Sequence, residues 1–422
     1  MGRPGGELVI SSMQALRIYA GPLALQAIAR DGLQPEAIRT IPAAAGGPKG
    51  LLLGALDRFL FGEWLTRSTQ PVDLVGASIG AWRMATACLD HPVAAFERLE
   101  HDYIHQHYEL PPGQKRPSAA MVSELFGQNL QAFYGGRVGE VLQHPRYRLH
   151  IVTSRGRHML HTEHGLRTPL GYFGAFLTNA VRRKAMGAWL ERVVFSSPVG
   201  VGPHAPPLRG LLPPTGANPP WGGPAAGCSC VPLPFATDDY RTRQVPLSMA
   251  NFQSALQASC SIPFVLKAVH NIPGAPPGAY WDGGITDYHL HLNYPAAPEH
   301  ATKSIAAQEY STRAGGQKGH KGLVLYPHFQ KAVVPGWLDK GLKWRHHATH
   351  HLDTMVLLAP NPEWVKTLPN GKLPDRTDFT RYGNDLAARV KAWQAACSAS
   401  VQLAEEFAAW LEKPDLARVQ PL

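Results

Sequence analysis

Apolar residues in this chain fall into short, nearly continuous runs, each closed by glycine or proline. The run from Ile38 to Ala45 ends at Gly46 and Gly47, and is followed by Leu51, Leu52, Leu53, Leu56, Phe59 and Leu60. That spacing predicts a buried strand, a glycine turn and a buried helix. The pattern repeats at once. Val72 to Val75 reads as a strand, Gly76 to Gly80 as a tight turn, and Ala81 to Leu89 as a helix stopped near Asp90, His91 and Pro92. Two consecutive units of this kind predict a parallel sheet. Tyr147 to Thr153, Arg192 to Ser196 and Leu323 to Tyr326 are further strand candidates, with a helix expected over Phe176 to Leu190.

Two regions depart from this rhythm. Pro198 to Pro234 is dense in proline and glycine and lacks periodicity, so the expectation is either a long surface insertion, a candidate flap, or a disordered stretch. Asp378 to Leu411 carries Leu386, Val390, Trp393, Val401, Leu403, Phe407 and Leu411 at helical spacing, which predicts one or two amphipathic helices. The expected fold is α/β, with a largely parallel central sheet and a helical C-terminal segment.

Composition narrows the class. The chain has 422 residues, 44% hydrophobic and 17% charged, as expected of a globular enzyme and not of a charge-rich disordered chain. No run approaches the roughly 18 apolar residues a membrane span needs, and Asp57 and Arg58 interrupt even Leu51 to Leu60. Met1 to Leu16 lacks the apolar core of a secretory signal, and five cysteines, with Cys228 and Cys230 too close for a disulfide framework, fit a reducing cytoplasm. A net charge of +10 serves either solubility or approach to anionic partners such as a phospholipid surface. Nucleic acid is not expected, because the basic cluster Arg182, Arg183 and Lys184 is short and no zinc-finger or RNP-like pattern accompanies it.

Three glycine-rich strings carry candidate chemistry. Gly76-Ala77-Ser78-Ile79-Gly80 matches G-x-S-x-G between an expected strand and an expected helix, where a sharp turn would expose Ser78 as a nucleophile. Gly46-Gly47-Pro48-Lys49-Gly50 lies one strand-helix unit upstream, and a parallel sheet would bring its turn beside that of Ser78. Its backbone N–H groups, at Gly46, Gly47 and Lys49 but not at Pro48, are candidate oxyanion donors together with Ile79. The string lacks the spacing of a nucleotide-binding P-loop. Trp281-Asp282-Gly283-Gly284, preceded by Ser259-Cys260-Ser261-Ile262-Pro263-Phe264, supplies a carboxylate at a turn that can approach another backbone closely.

In this order, from about Arg39 to Asn293, the three strings resemble the patatin-like phospholipase family, with its glycine-rich oxyanion loop, serine elbow and Asp-Gly-Gly base. Ala45 stands where that family usually has another glycine. The resemblance implies a patatin-like three-layer fold. It also implies a Ser78 and Asp282 dyad that acts without histidine, metal or cofactor on lipid-like acyl esters, in the manner of a phospholipase A. The domain organisation expected is an N-terminal segment (1–37), a catalytic domain (38–360) with its insertion at about 198–234, and a mainly helical C-terminal segment (361–422) packed on it.

Rival readings are a non-catalytic protein of lipid or granule surfaces that keeps the fold, and an α/β-hydrolase triad in which His289, His291 or His328 joins Ser78 and Asp282. His346, His347, His350 and His351 have spacing that would allow a helix to hold a metal, but no Glu or Cys accompanies them at a zincin spacing. Trp337, Lys340, Lys343, Trp344 and Arg345 mix aromatic and basic character, which suits either core packing with a solvated basic rim or a peripheral contact with an anionic lipid surface.

Overall fold

The computed structural model describes residues 13–109, 114, 117–199, 230–296 and 322–422. Among them, eleven strands build one mixed sheet. They are β1 (Leu16–Ala20), β2 (Ile38–Ala43), β3 (Val72–Ala77), β4 (Tyr147–Gly156), β5 (Leu190–Ser196), β6 (Thr242–Pro246), β7 (Val269–His270), β8 (Ala279–Asp282), β9 (Leu323–Pro327), β10 (Met355–Pro360) and β11 (Val419–Pro421). The main path runs β11, β1, β10, β9, β2, β3, β4, β5, β6, with β8 also on β4 and β7 on β8. The centre, from β10 through β9, β2 and β3 to β4, is parallel, as the strand-helix rhythm predicts. Antiparallel pairs lie to either side, β1 with β10 and β4 with β5. Strand β1 near the N-terminus pairs in parallel with β11 near the C-terminus.

Both faces of the central strands are covered, so β3 is buried at every position. Leu74 packs in a cluster with Trp82, Met84 and Phe96, whereas the neighbouring Val75 packs in another with Val152, Tyr326 and Phe329. The first cluster is built by helices α1 (Pro22–Asp31), α2 (Gly54–Phe59), α3 (Ile79–Ala87), α4 (Pro92–Ile104), α5 (Ala119–Tyr134), α6 (Val138–Leu142) and α8 (Phe252–Cys260). Coil carrying Leu290, Leu292, Tyr294, Phe329 and Val333 covers the opposite face. Two C-terminal helices, Leu386–Ala399 and Val401–Glu412, pack on the helical side. Phe407 meets Phe59 edge-on at 6.2 Å between ring centres, and Trp393 lies 6.4 Å from Tyr103.

Helix α7 (Arg167–Val181) departs from expectation. The helix predicted over Phe176–Leu190 begins and ends earlier, because Arg182 leaves helical geometry and a separate 3-10 turn, Arg183–Ala188, leads into β5. Pro169 sits in its first turn, where a missing N–H costs nothing. Of the insertion expected at about 198–234, residues 200–229 lie outside the described residues, and an antiparallel bridge between Pro198 and Cys230 joins the chain on either side. No helix among the described residues is long and apolar enough to cross a membrane.

One edge of β4 receives two strands end to end. Strand β3 runs parallel to it, with Ala77 opposite Val152, and β8 runs antiparallel, with Asp282 opposite the next residue, Thr153. The C-terminal ends of β3 and β8 therefore meet head-on.

Candidate active site

Ser78 follows β3 directly and caps α3 with φ 57 and ψ −131, a left-handed conformation rarely adopted by a side-chain-bearing residue. Its surroundings hold it there. The Ser78 N–H donates to Ser259 Oγ at 3.0 Å, and Ser259 Oγ in turn donates to the Val152 carbonyl at 2.7 Å. Glycines let the backbones close in: a Cβ at Gly80 would lie 1.9 Å from the Ala43 carbonyl oxygen, and one at Gly283 would lie 2.1 Å from that of Val152. Gly76 and Gly284 are similarly crowded, against Ala81 and Ala45. Below the elbow, Arg83 of α3 donates twice to buried Asp57 of α2, both at 2.7 Å, and fixes the helix.

Across the gap, Ser78 Oγ donates to Asp282 Oδ2 at 2.6 Å, and Asp282 Oδ1 accepts from Gly284 N–H at 2.7 Å. The Asp282 N–H is anchored on the Ser261 carbonyl. Desolvation pushes the Asp282 carboxyl up to about 6, opposed by the Ser78 hydroxyl, the Gly284 N–H and the positive charges of Arg376 and Lys340. A carboxylate so raised is a better proton acceptor than an exposed aspartate. The turn that carries it is clamped by charge: Arg192 of β5 donates to both oxygens of buried Asp287 at 2.7 and 2.6 Å, and Arg183 donates to the Thr286 carbonyl.

The glycine-rich loop enters a 3-10 helix, Gly47–Leu53, capped by Gly46. Gly47 has φ 57, which only glycine adopts without strain. In such a helix the i to i+3 pattern returns the Lys49 N–H to the cap carbonyl. Lys49 therefore differs from expectation: its amide is used by the turn, and its ammonium is the group it can offer. Gly46 and Gly47 N–H have no partner among the described residues, nor does Ile79 N–H in the first turn of α3. Ala45 N–H bonds to the Tyr288 carbonyl and ties the loop to the turn carrying Asp282. Gly50 lies against Ile79, so loop and elbow are packed directly together.

Ser78 stands between two cavities. The larger, about 600 Å³, is lined by Gly47, Ile79, Trp82, Val122, Phe126, Ile262, Phe264, Leu266 and Phe379 among others. The smaller, about 200 Å³, holds Asp282 together with Gly46, Lys49, Trp337, Lys340, Asp375 and Arg376. Lys49, Lys340 and Arg376 make no ion pair among the described residues. Burial lowers Lys49, and burial with the charges of Arg376 and Lys49 lowers Lys340 to about 8. Lys340 Nζ also sits 4.0 Å from the centre of the Tyr288 ring.

The histidines of the rival triad do not reach the pair. His289 Nδ1 lies at the Ala332 carbonyl and Val334 N–H, His291 bridges the Val333 carbonyl and Thr349 Oγ1, and His328 Nδ1 lies near the Gln330 carbonyl. Burial pushes all three below the usual imidazole range, His291 to about 4 and His328 to about 3. Among the described residues, no group of three or more His, Cys, Asp or Glu side chains could hold a metal. The basic-aromatic cluster is only partly a surface feature. Asp339 within it is buried and paired with Arg345 at 2.8 Å and Arg183 at 3.1 Å, Trp337 lines the smaller cavity, and Trp344 is exposed.

Arg376, which carries no local motif, was not anticipated, and Lys340, expected either in a solvated basic rim or at a lipid surface, lies beside Asp282 instead. The role of Ser259 was half visible in the small-residue stretch 259–263. No protein-family model matches the chain, and no curated protein matches its sequence. The functional reading therefore stands on the geometry.

Proposed function

We propose that the protein is a serine-dependent hydrolase of carboxylic esters in lipid-like substrates, patatin-like in fold and phospholipase A-like in action. The observation that carries this reading is the direct 2.6 Å hydrogen bond from Ser78 Oγ, held at a strained elbow, to the desolvated Asp282 carboxylate. Ser78 Oγ attacks the ester carbonyl while Asp282 Oδ2 takes its proton. The tetrahedral oxyanion receives the free N–H groups of Gly46, Gly47 and Ile79. Collapse breaks the bond to the alcohol, which leaves with the proton from Asp282, and an acyl group remains on Ser78. Water then attacks the acyl-enzyme, with Asp282 again the base, and releases the carboxylic acid.

The flanking cavities suit the two halves of such a substrate. The larger cavity accepts an acyl chain, and Lys49, Lys340 and Arg376 in the smaller one favour a leaving alcohol that carries an anionic group. The test is labelling by a fluorophosphonate and turnover of a short p-nitrophenyl ester, both of which should vanish in Ser78→Ala with the fold preserved. Undiminished turnover in that variant overturns the reading, and a folded wild-type protein that neither labels nor turns over favours a binding role.

A further inference from the structure

Helix α7 is inside out. Its inward residues are mostly small or polar, Thr168, Gly171, Tyr172, Ala175 and Asn179. Its large apolar side chains point to solvent: Leu170 is 60% exposed, Phe173 60%, Leu177 49% and Val181 88%, and Leu166 at its cap is 76% exposed. With about 100° between successive helical residues, these positions line up in one stripe along the helix. Packing the stripe against the protein would be the ordinary outcome, so its exposure marks a surface with a partner.

Helix α7 is tied to one wall of the larger cavity through its inner face. Tyr172, on the inner face of α7, lies 6.0 Å from the ring of Phe264, which lines that cavity. Phe264 is held at φ 68 and remains 61% exposed, an aromatic ring kept in water at the expense of backbone strain. Val265 beside it is also exposed and also lines the cavity. Glu163, before α7, bonds Lys267 Nζ and the Ala268 N–H, which ties the two segments together.

We propose that α7 with Phe264 and Val265 is the face by which the protein docks on an anionic lipid surface, feeding acyl chains into the larger cavity. Charge complementarity selects this occupant. Arg167 at one end of the stripe and Arg182 at the other are exposed and make no ion pair among the described residues. Lys184 adds a third exposed cation, and the chain carries a net charge of +10. A second copy of the chain would bring these cations against each other across a two-fold axis. The delivery of acyl chains rests on the proposed hydrolysis at Ser78. The docking does not.

The test is co-sedimentation of the full-length protein with vesicles of phosphatidylcholine and phosphatidylglycerol. A variant carrying Leu170→Ser, Phe173→Ser and Leu177→Ser should bind roughly tenfold more weakly or worse, because binding scales with the apolar area immersed. The three side chains are exposed, so an unchanged melting temperature is expected and keeps the comparison valid. Trp344→Ser, from the other exposed aromatic region, should bind like wild type. Ser78→Ala should also bind like wild type, which separates a failure of docking from a failure of the hydrolase reading. Raising salt should weaken wild-type binding, since exposed charges are screened over roughly 8 Å at physiological ionic strength. Undiminished binding of the triple variant, or no wild-type binding to anionic vesicles, overturns the proposal. So does a wild-type dimer that the triple variant splits without any change in vesicle binding.

Discussion

The two cavities share Ser78, Ile262 and Arg376 and differ in almost everything else. The larger is walled by side chains from α3, α5 and the stretch after α8, together with Tyr103, Gln106 to Tyr108 and, later in the chain, Phe379, Thr380, Asn384 and Arg389. The smaller is walled by the two glycine-bearing turns and by residues that arrive late in the chain, Trp337, Lys340 and Asp375 to Thr377. The larger carries most of the aromatic lining, whereas the smaller gathers Lys49 and Lys340 beside Asp282. A lipid ester has the same division, and the proposed scissile bond would lie where the two meet.

The largest effect is expected at Asp282, which lines the smaller cavity and accepts from the shared Ser78. Asp282→Asn keeps shape but cannot accept the serine proton, so kcat should fall about 10³-fold or more, equally for neutral and for anionic esters. A loss confined to one substrate class would remove Asp282 from the common step. A crossed pair of variants sharpens the contrast at smaller magnitude. Lys340→Met should lower kcat/KM roughly 10- to 100-fold for esters with a phosphate-bearing alcohol and leave a short neutral ester unchanged, the size expected for a lost charged hydrogen bond. Val122→Trp should do the reverse, costing long-chain esters about tenfold through lost methylene burial and sparing short ones. Parallel losses on all substrates would show that the cavities do not divide the substrate.

The smallest effect is in pH dependence. The base must be ionised, so kcat/KM should rise with pH through about 6, the value to which burial pushes Asp282, and then level off for a neutral ester. With an anionic leaving group it should fall again above about 8, as Lys340 loses its proton. A rise centred near the ordinary aspartate value would mean that the accepting carboxylate is not the buried one.

The turn at Ser78 and the close seating of Asp282 were legible in the sequence because each is a local matter: Ser78 needs small neighbours to make its turn, and Asp282 needs glycines to approach β4. Apolar runs likewise placed β2, β3, β4, β5 and β9, whereas β10, an equally apolar and buried strand, was not anticipated. What remained hidden depends on direction and distance. The apolar residues of α7 have helical spacing, yet spacing alone does not say that Phe173 and Leu177 face water while Gly171 and Ala175 face inward. Arg376 lies almost 300 residues beyond Ser78 and carries no motif, and only folding brings it to the cavity. Strand β1 pairs with β10 and β11 through contacts across nearly the whole chain, which no local pattern announces.

The end-to-end seating of β3 and β8 on a single edge of β4 also has a consequence in time. During synthesis, at roughly 5 to 20 residues per second, the elbow and its strand leave the ribosome long before β8 does. Until Asp282 arrives and pairs beside Thr153, the nascent chain holds a serine hydroxyl with no proton acceptor bonded to it. A chain cut short anywhere before that codon thus carries the G-x-S-x-G string intact but lacks the carboxylate that Ser78 bonds in the finished fold.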